Sequence, residues 1–463
     1  MAKKEWSNLT QGPVFGRLLW LSLPLVAGSL VEVAYSMTDM FWVSRLGDRA
    51  VAAVGTGGMV MWFLQGVMAL AHVGVGVEVA ARLGARRPWA ARRSLEVGLV
   101  MALFLGLACC VALLFGARGI VAFFKLNDQV TRLGAERYLR VVGFGLPFYF
   151  VTQVWAQAFV ARGDSRSRFL MSLLGLGSNM ILDPLFILTF GLGEAGAALA
   201  TALSMAIACG GFFVLRSKHR LFTKLRLIPQ RGCFGSWGKE ACVLLRLGVP
   251  NGVQVMAFAG LSMVISRLVA GFGDLAVAAQ RVGANVESIS WATAVGFGSA
   301  VTAMVAQNRG AGAYSRVWRA FKAQVWIGVA IGAVGTVLFG FYAPQVAGVF
   351  LSEGPSLEAG ASYLKIVSVS QIFMIWELTC AAAFAGMGRT LLPSVIVIIF
   401  TLLRLPLAYI LTATPLGLDG IWVTVSASTV LKGLILTVWF WCAYHRLYSG
   451  FKPLEQGQFS PEI

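Results

Sequence analysis

Charge is scarce in this chain of 463 residues: only 13% are Asp, Glu, Lys or Arg, while 58% are hydrophobic. A water-soluble domain of this length needs far more polar surface, so the composition excludes one and indicates a polytopic membrane protein. The seven cysteines show no metal-ligand or disulfide spacing, and the three histidines are far apart in sequence. We therefore expect neither a metal site nor a disulfide framework.

Acidic residues are fewer than basic ones, which leaves a net charge of +18. The Lys and Arg residues form short clusters between apolar runs along the whole chain, as in cytoplasmic loops of membrane proteins, so no nucleic-acid partner is predicted. The longest basic connection, Arg216–Glu240, lies at the midpoint. The bias of basic residues predicts that both termini and this connection are cytoplasmic, although the predicted external loop Arg118–Arg140 also carries an excess of basic residues. We expect the membrane to be a prokaryotic inner membrane. The polar first residues lead directly into an apolar helix, so no cleavable signal is expected.

Apolar runs of about 20 residues, the length that spans a bilayer as a helix, recur along the chain. They predict an all-α integral membrane protein with twelve transmembrane helices. The predicted spans are 14–43, 50–82, 90–116, 136–161, 168–190, 195–216, 244–271, 275–308, 316–345, 360–387, 391–412 and 418–443.

The two halves of the chain resemble each other. LGDRAVAAVG (Leu46–Gly55) is matched by FGDLAVAAQR (Phe272–Arg281), 226 residues later, and Pro24 and Pro250 have the same separation. Six spans in each half make this a parallel duplication, which is a transporter architecture. It predicts two pseudo-symmetric six-helix lobes, with the N-lobe at 1–215, a cytoplasmic linker at 216–241, the C-lobe at 242–445 and a cytoplasmic tail at 446–463.

Asp39 lies in an apolar helix, where a carboxylate costs several kcal/mol. The equivalent position in the second half is Ile265, so the duplicated scaffold does not require a carboxylate there. Tyr35 and Ser36 lie one turn away on the same helix and make this face polar. The pattern favours a functional carboxylate over an aspartate hydrogen-bonded at a helix end.

A second polar pair occurs in SNMILDP, where Asn179 and Asp183 are four residues apart and project from one helix face. Pro184 follows and allows a kink. The alternative to a binding site here is a buried hydrogen-bond network between helices.

Taken together, the Pro-containing first helix, the GD-x-AVAA motif, SNMILDP, GLGEAGAALAT and QNRGAGAY resemble the multidrug and toxic compound extrusion (MATE) family over nearly the whole chain. The resemblance implies a secondary active exporter, and not an enzyme, that exchanges inward H⁺ or Na⁺ for outward organic cations and amphipathic drugs. It implies no cofactor besides the coupling ion. The same superfamily contains lipid-linked oligosaccharide flippases, which is the alternative.

The resemblance also implies a site. Its cation or proton ligands would be Asp39, Asn179, Asp183 and Thr201. Two carboxylates, an amide oxygen and a hydroxyl suit a hard cation. They suit a shared proton equally, because two neighbouring carboxylates in low dielectric do not both stay charged. Residues expected to line the cavity or relay protons are Tyr35, Tyr138, Gln153, Gln157 and Glu32, and Pro24 is expected to bend the first helix.

In the C-lobe, Glu377 lies mid-way along the tenth span. Some family members pair an acidic residue there with one in the seventh helix, but Gln254–Ile265 contains none. Glu287 is the possible substitute, and Arg404 a possible counter-ion for either carboxylate. These three residues define a possible C-lobe site, with structural pairing as the alternative.

The expected partners are small-molecule drugs or organic cations and membrane lipids, and we expect the protein to act as a monomer. The chain contains 31 Phe, 14 Trp and 15 Met, which fits an adaptable hydrophobic cavity. No phosphate-binding loop occurs, so ATP is not expected as the direct energy source.

Overall fold

The computed structural model describes residues 8–448 except 125, 127, 218, 224, 226–233 and 352–353. The first half contains α1 (Val14–Ser44), α2 (Asp48–Gly84), α3 (Pro88–Phe123), α4 (Gln129–Gly143), α5 (Leu146–Ala161), α6 (Ser165–Pro184, continued by a π-helical turn Leu185–Thr189) and α7 (Gly193–Arg216). A short α8 (Arg220–Thr223) precedes the second half. That half contains α9 (Phe234–Ala270), α10 (Asp274–Gly310), α11 (Tyr314–Phe341), α12 (Ala343–Gly348), α13 (Pro355–Ser368), α14 (Gln371–Gly386), α15 (Leu391–Leu402), α16 (Arg404–Thr412) and α17 (Asp419–Tyr448).

Within the described residues, ten helical segments are long and apolar enough to cross a membrane. The pair α13–α14, bent by 54°, makes an eleventh. The pair α4–α5 occupies the corresponding place in the first half, because α4 and α13 begin 226 residues apart, and we count it as the twelfth span on this repeat position rather than on hydropathy. The predicted all-α fold is thus confirmed. The boundaries of the predicted linker and tail stay a prediction, because 226–233 and 449–463 lie outside the described residues.

Several predicted boundaries are wrong, for two physical reasons. The fourth and tenth spans are each two helices, with breaks after Gly143 and after Ser368, whereas continuous spans were predicted. Hydropathy does not register a break whose residues are themselves apolar. The third and seventh spans are longer than predicted, since helices can continue past the hydrocarbon core into polar sequence.

The duplication is visible in where helices begin. The helices α2 and α10 begin at Asp48 and Asp274, and α7 and α17 begin at Gly193 and Asp419. Both pairs have the 226-residue separation found in the sequence. Before α2, Gly47 has φ 96° and ψ 173°, and its counterpart Gly273 has φ 99° and ψ 173°. Only glycine adopts this conformation readily, so the repeated Gly-Asp motif is the start signal of two equivalent helices.

The two lobes meet through α1 and α2 on one side and α9 and α10 on the other. Two glycines allow the closest approach. A Cβ atom on Gly84 would collide with the carbonyl of Gln307, and one on Gly310 would collide with the carbonyl of Ala81. These are equivalent contacts, because Gly84 and Gly310, like Ala81 and Gln307, are repeat partners. Both lie at the end of the molecule that holds the N-terminal segment, here called the linker end.

Charged side chains hold the lobes together at the linker end. Arg82 of α2 binds both carboxylate oxygens of Glu240 in α9, with Nη1–Oε1 2.8 Å and Nη2–Oε2 3.0 Å. Its Nε also donates to Glu78, 3.1 Å away, as the i,i+4 spacing predicts. Glu78 in turn lies 3.8 Å from Arg309 of α10. The described parts of the two lobes are therefore joined by alternating charges across their interface.

The N-terminal segment before α1 adds a second tie to the C-lobe. Leu9 is 2% exposed and packs in a hydrophobic cluster with side chains of α10 and α11. Its backbone N–H donates to Gln307 Oε1 at 3.1 Å. Its carbonyl accepts from Asn308 Nδ2 at 3.3 Å and Arg316 Nη2 at 3.2 Å. A segment of the first half is thus anchored in the second.

Candidate cation site

The N-lobe places four helices around one polar cluster. Asp39 comes from α1, Asn179 and Asp183 from α6, Thr201 from α7 and Tyr138 from α4. The helix α6 packs against both α1 and α7, and α7 also packs against α4, which brings the side chains together. The residues predicted for the cation site therefore converge, as the sequence analysis expected.

The two carboxylates approach each other directly. The side chains of Asp39 and Asp183 lie within hydrogen-bonding reach, and Asn179 Nδ2 donates to Asp183 Oδ1 at 3.2 Å. Asp183 is 0% exposed and Asn179 is 1% exposed. Carboxylates are acceptors only when ionised, so two of them at this separation need a proton or a cation between them.

Three oxygen atoms in this cluster are buried without a hydrogen-bond donor among the described residues. They are Asp39 Oδ1, Asn179 Oδ1 and Asp183 Oδ2. Buried polar atoms are normally satisfied, so each such atom needs an explanation. Two carboxylate oxygens and an amide oxygen are the donor set that a hard cation takes, and a protonated carboxyl would use the same atoms.

Two tyrosines close the cluster. Tyr35 and Tyr138 both lie next to the Thr201 side chain. The Thr201 hydroxyl donates to the Ala197 carbonyl at 3.0 Å. The Tyr138 ring lies against Gly57 of α2, where a Cβ atom would collide with it. The absence of a side chain at Gly57 thus sets the position of the Tyr138 hydroxyl.

The remaining predicted cavity residues of the N-lobe lie elsewhere. Gln153 lies next to Tyr149, and Tyr149 and Glu32 lie close enough to Arg168 to interact electrostatically. Glu32 is exposed. These four residues form a second polar group between the cation site and the linker end. Gln157 packs against α2 at Gly76.

Pro24 lies inside α1, which continues through it as one helix. Leu18, Leu21 and Leu25, around this proline, are buried in the same hydrophobic cluster as residues of α10 and α11. The part of α1 beyond it carries Asp39. Pro24 therefore separates a part of α1 anchored in the C-lobe from a part that lines the N-lobe site.

In the C-lobe, all three predicted residues lie near one another, with two unpredicted neighbours. Lys432 Nζ of α17 binds Glu377 Oε1 at 2.7 Å, and Tyr363 donates to Glu287 Oε2 at 2.7 Å. Arg404 lies near both carboxylates, but it donates hydrogen bonds to Ser428 Oγ at 2.6 Å and Thr429 Oγ1 at 3.0 Å. The direct ion pair therefore belongs to Lys432 rather than to Arg404.

Two residues of these polar groups, Tyr363 and Arg168, escaped the sequence analysis, and Lys432 was expected only to snorkel or pair, with no role assigned to it. Lys432 and Glu377 are 55 positions apart, and no local spacing connects them. Tyr363 packs against Gly283, the repeat partner of Gly57, as Tyr138 packs against Gly57. That repeated glycine was the available signal. Arg168 lies one turn inside α6, next to a basic loop, where its charge is indistinguishable from a loop charge.

Two six-helix lobes related by a parallel repeat, with a pair of buried carboxylates inside one lobe, are the features of a secondary membrane transporter. The MatE family model matches residues 24–185 and 250–410, which covers most of both lobes. The chain therefore belongs to the MATE family of transporters, as the sequence motifs indicated.

Individual relatives agree with this assignment. A probable multidrug resistance protein NorM of Thermotoga maritima is 26% identical over 434 residues, covering 91% of each chain. A FAD transporter of Shewanella oneidensis is 26% identical, covering 93% of this chain and 95% of that one. Among solved structures, an outward-facing multidrug resistance MATE family transporter superposes with a TM-score of 0.88 at 25% identity, covering 97% and 100% of the two chains.

Proposed function

We propose that this protein is a multidrug exporter of the inner membrane, in which inward movement of H⁺ or Na⁺ drives outward movement of organic cations and amphipathic drugs. The observation that carries the proposal is the contact between Asp39 and Asp183 with unsatisfied oxygens around it. The names of relatives, NorM of Thermotoga maritima among them, support the substrate class. We further propose that the linker end faces the cytoplasm. The chain acts as a monomer.

The geometry suggests how loading of the site reaches the lobe interface. A proton or Na⁺ between Asp39 and Asp183 draws α1 toward α6, and its loss leaves two negative charges that repel. The part of α1 before Pro24 is held in the C-lobe cluster that contains Leu18 and Leu21. Movement of the part that carries Asp39 must therefore be absorbed along the helix. Pro24 lacks the backbone N–H whose hydrogen bond would stiffen the helix there.

Substrate binding is assigned to the cleft between the lobes. Trp62 of α2 and Phe258 of α9 approach from opposite lobes, with ring centroids 5.9 Å apart in an edge-to-face arrangement. Aromatic faces attract flat organic cations, and they do so without strict shape demands. This aromatic pair fits the drugs proposed as cargo.

The flippase alternative requires basic side chains free to bind an anionic headgroup. In the described part of the C-lobe, Lys432 is paired with Glu377, and Arg404 binds Ser428 and Thr429. The buried basic residues are thus already engaged, which favours the drug exporter.

The test is transport by purified protein in vesicles, first with an imposed pH gradient and then with an imposed Na⁺ gradient. A cationic dye reports efflux. We expect one gradient to drive wild-type efflux, and Asp39→Asn and Asp183→Asn to abolish the driven component. Asp128→Asn is the matched control, because Asp128 caps α4 outside the spans and Asn also caps helices. Wild-type efflux rates in both site variants would refute the proposal, and lipid-linked sugar movement without dye efflux would support the flippase.

A further inference from the structure

Five polar side chains from five helices meet inside the C-lobe. They are Glu287 of α10, Tyr363 of α13, Glu377 of α14, Arg404 of α16 and Lys432 of α17. The helices α13, α14 and α16, which pack against α17, each contribute one of these groups. The cluster contains two carboxylates and two cations, so its formal charges cancel. This is the reverse of the N-lobe site, where two carboxylates meet with no Lys or Arg in ion-pair contact among the described residues.

Lys432 is the unusual member. It is 2% exposed, and its ammonium lies 2.7 Å from Glu377 Oε1, the distance of a charge-assisted hydrogen bond. It lies near the middle of α17, which runs from Asp419 to Tyr448, so its side chain is too deep to reach either membrane surface. A lysine at this depth is costly and marks function by default.

The duplicated scaffold does not require the pair. The repeat partners of Glu377 and Lys432 are Val151 and Ala206, which carry no charge. Both members of the pair are therefore particular to the C-lobe, as Asp39 is particular to the N-lobe.

We propose that Lys432 is a tethered cation: its ammonium occupies the place beside Glu377 that a Na⁺ or a proton would otherwise take. The charge of Glu377 is thereby neutralised permanently, and exchange of the coupling ion is confined to the N-lobe. This inference rests on the proposed ion-coupled function. It predicts that removal of the Lys432 charge creates a second cation site at Glu377.

The test measures cation binding rather than transport, so its failure is separate from failure of the proposed function. The full chain carries Asp39→Asn to silence the N-lobe site. Equilibrium binding of radioactive Na⁺ is measured in detergent, and the infrared band of a protonated carboxyl group is followed across pH. We expect Lys432→Met to gain an additional Na⁺ per chain or a new protonated-carboxyl band, and addition of Glu377→Gln to remove the gain.

Lys432→Arg is the matched control, since it keeps a fixed charge and should gain neither signal. The inference is overturned if Lys432→Met binds no additional Na⁺ and shows no new protonated-carboxyl band. It is also overturned if the Asp39→Asn parent, with Lys432 intact, already binds Na⁺ or shows that band through Glu377. Should Lys432→Met fail to fold, its yield is compared in acid, in Na⁺ and with Glu377→Gln. Recovery in acid or Na⁺ supports the tethered cation, and recovery through Glu377→Gln alone overturns it.

Discussion

The bond between Arg82 and Glu240 offers the most direct test of how the lobes are held together at the linker end. Arg82 engages Glu240 through a hydrogen bond of 3.0 Å from Nη2 to Oε2 and an ion-pair contact of 2.8 Å between Nη1 and Oε1, and both side chains are mostly buried. Hydrogen bonds to charged groups contribute about 1.5–3 kcal/mol. In alternating access these residues must separate and become hydrated when the linker end opens. Arg82→Ala should therefore weaken the closed state by about 2 kcal/mol, which is a ~30-fold rise in the population of the open state.

Alkylation of a buried thiol measures that population. Leu244 is 0% exposed, and its backbone contacts Gly74 across the lobe interface. A Leu244→Cys reporter, in a chain with its native cysteines replaced, reacts only when the lobes part. We expect Arg82→Ala to raise the alkylation rate ~30-fold, in proportion to the open population. The double variant Arg82→Glu with Glu240→Arg restores opposite charges and should return the rate toward that of the parent. An unchanged rate in Arg82→Ala, or no recovery in the double variant, would refute the assigned role.

Two further substitutions test the site and the anchored segment. Gly57→Ala forces the Tyr138 ring away from Thr201 and should slow ion-driven efflux at least several-fold. Gly283→Ala displaces Tyr363 in the other lobe and should leave the ion dependence of efflux unchanged. Equal effects of the two substitutions on ion dependence would contradict the assignment of coupling to the N-lobe. Leu9→Ala removes a buried side chain and should lower the free energy of unfolding by about 2–5 kcal/mol, measured by denaturant titration; a loss below ~0.5 kcal/mol would show that this segment is not anchored.

Sequence reasoning succeeded where a signal is local or repeated. Asn179 and Asp183 are four residues apart, so helix geometry alone places them on one face, and the structure joins them by a 3.2 Å hydrogen bond. The duplicated Gly-Asp motif predicted equivalent helices, which begin at Asp48 and Asp274. The grouping of Asp39 with Asp183 and Thr201 came instead from family resemblance, because the helices α2 to α5 lie between Asp39 and Asp183 along the chain.

The sequence could not identify features that depend on long-range packing. Arg404 was a candidate counter-ion for either Glu377 or Glu287, but the direct ion pair joins Lys432 to Glu377, because the choice depends on how α14 and α17 pack. Gln153 was expected to line the N-lobe cavity, but no local signal in the sequence indicated that it lies next to Tyr149. The breaks after Gly143 and Ser368 were missed because the residues around them remain apolar.

The paired glycine contacts at the linker end have a consequence for the origin of this chain. Gly84 meets Gln307 while Gly310 meets Ala81, so the first half contacts the second in the way that the second contacts the first. Such an isologous interface is the signature of a twofold-symmetric dimer. One half of the chain therefore carries a self-complementary surface, as expected if a six-helix ancestor functioned as a homodimer before its gene was duplicated and fused. Halves expressed as separate polypeptides should then reassociate in the membrane, which co-purification would detect.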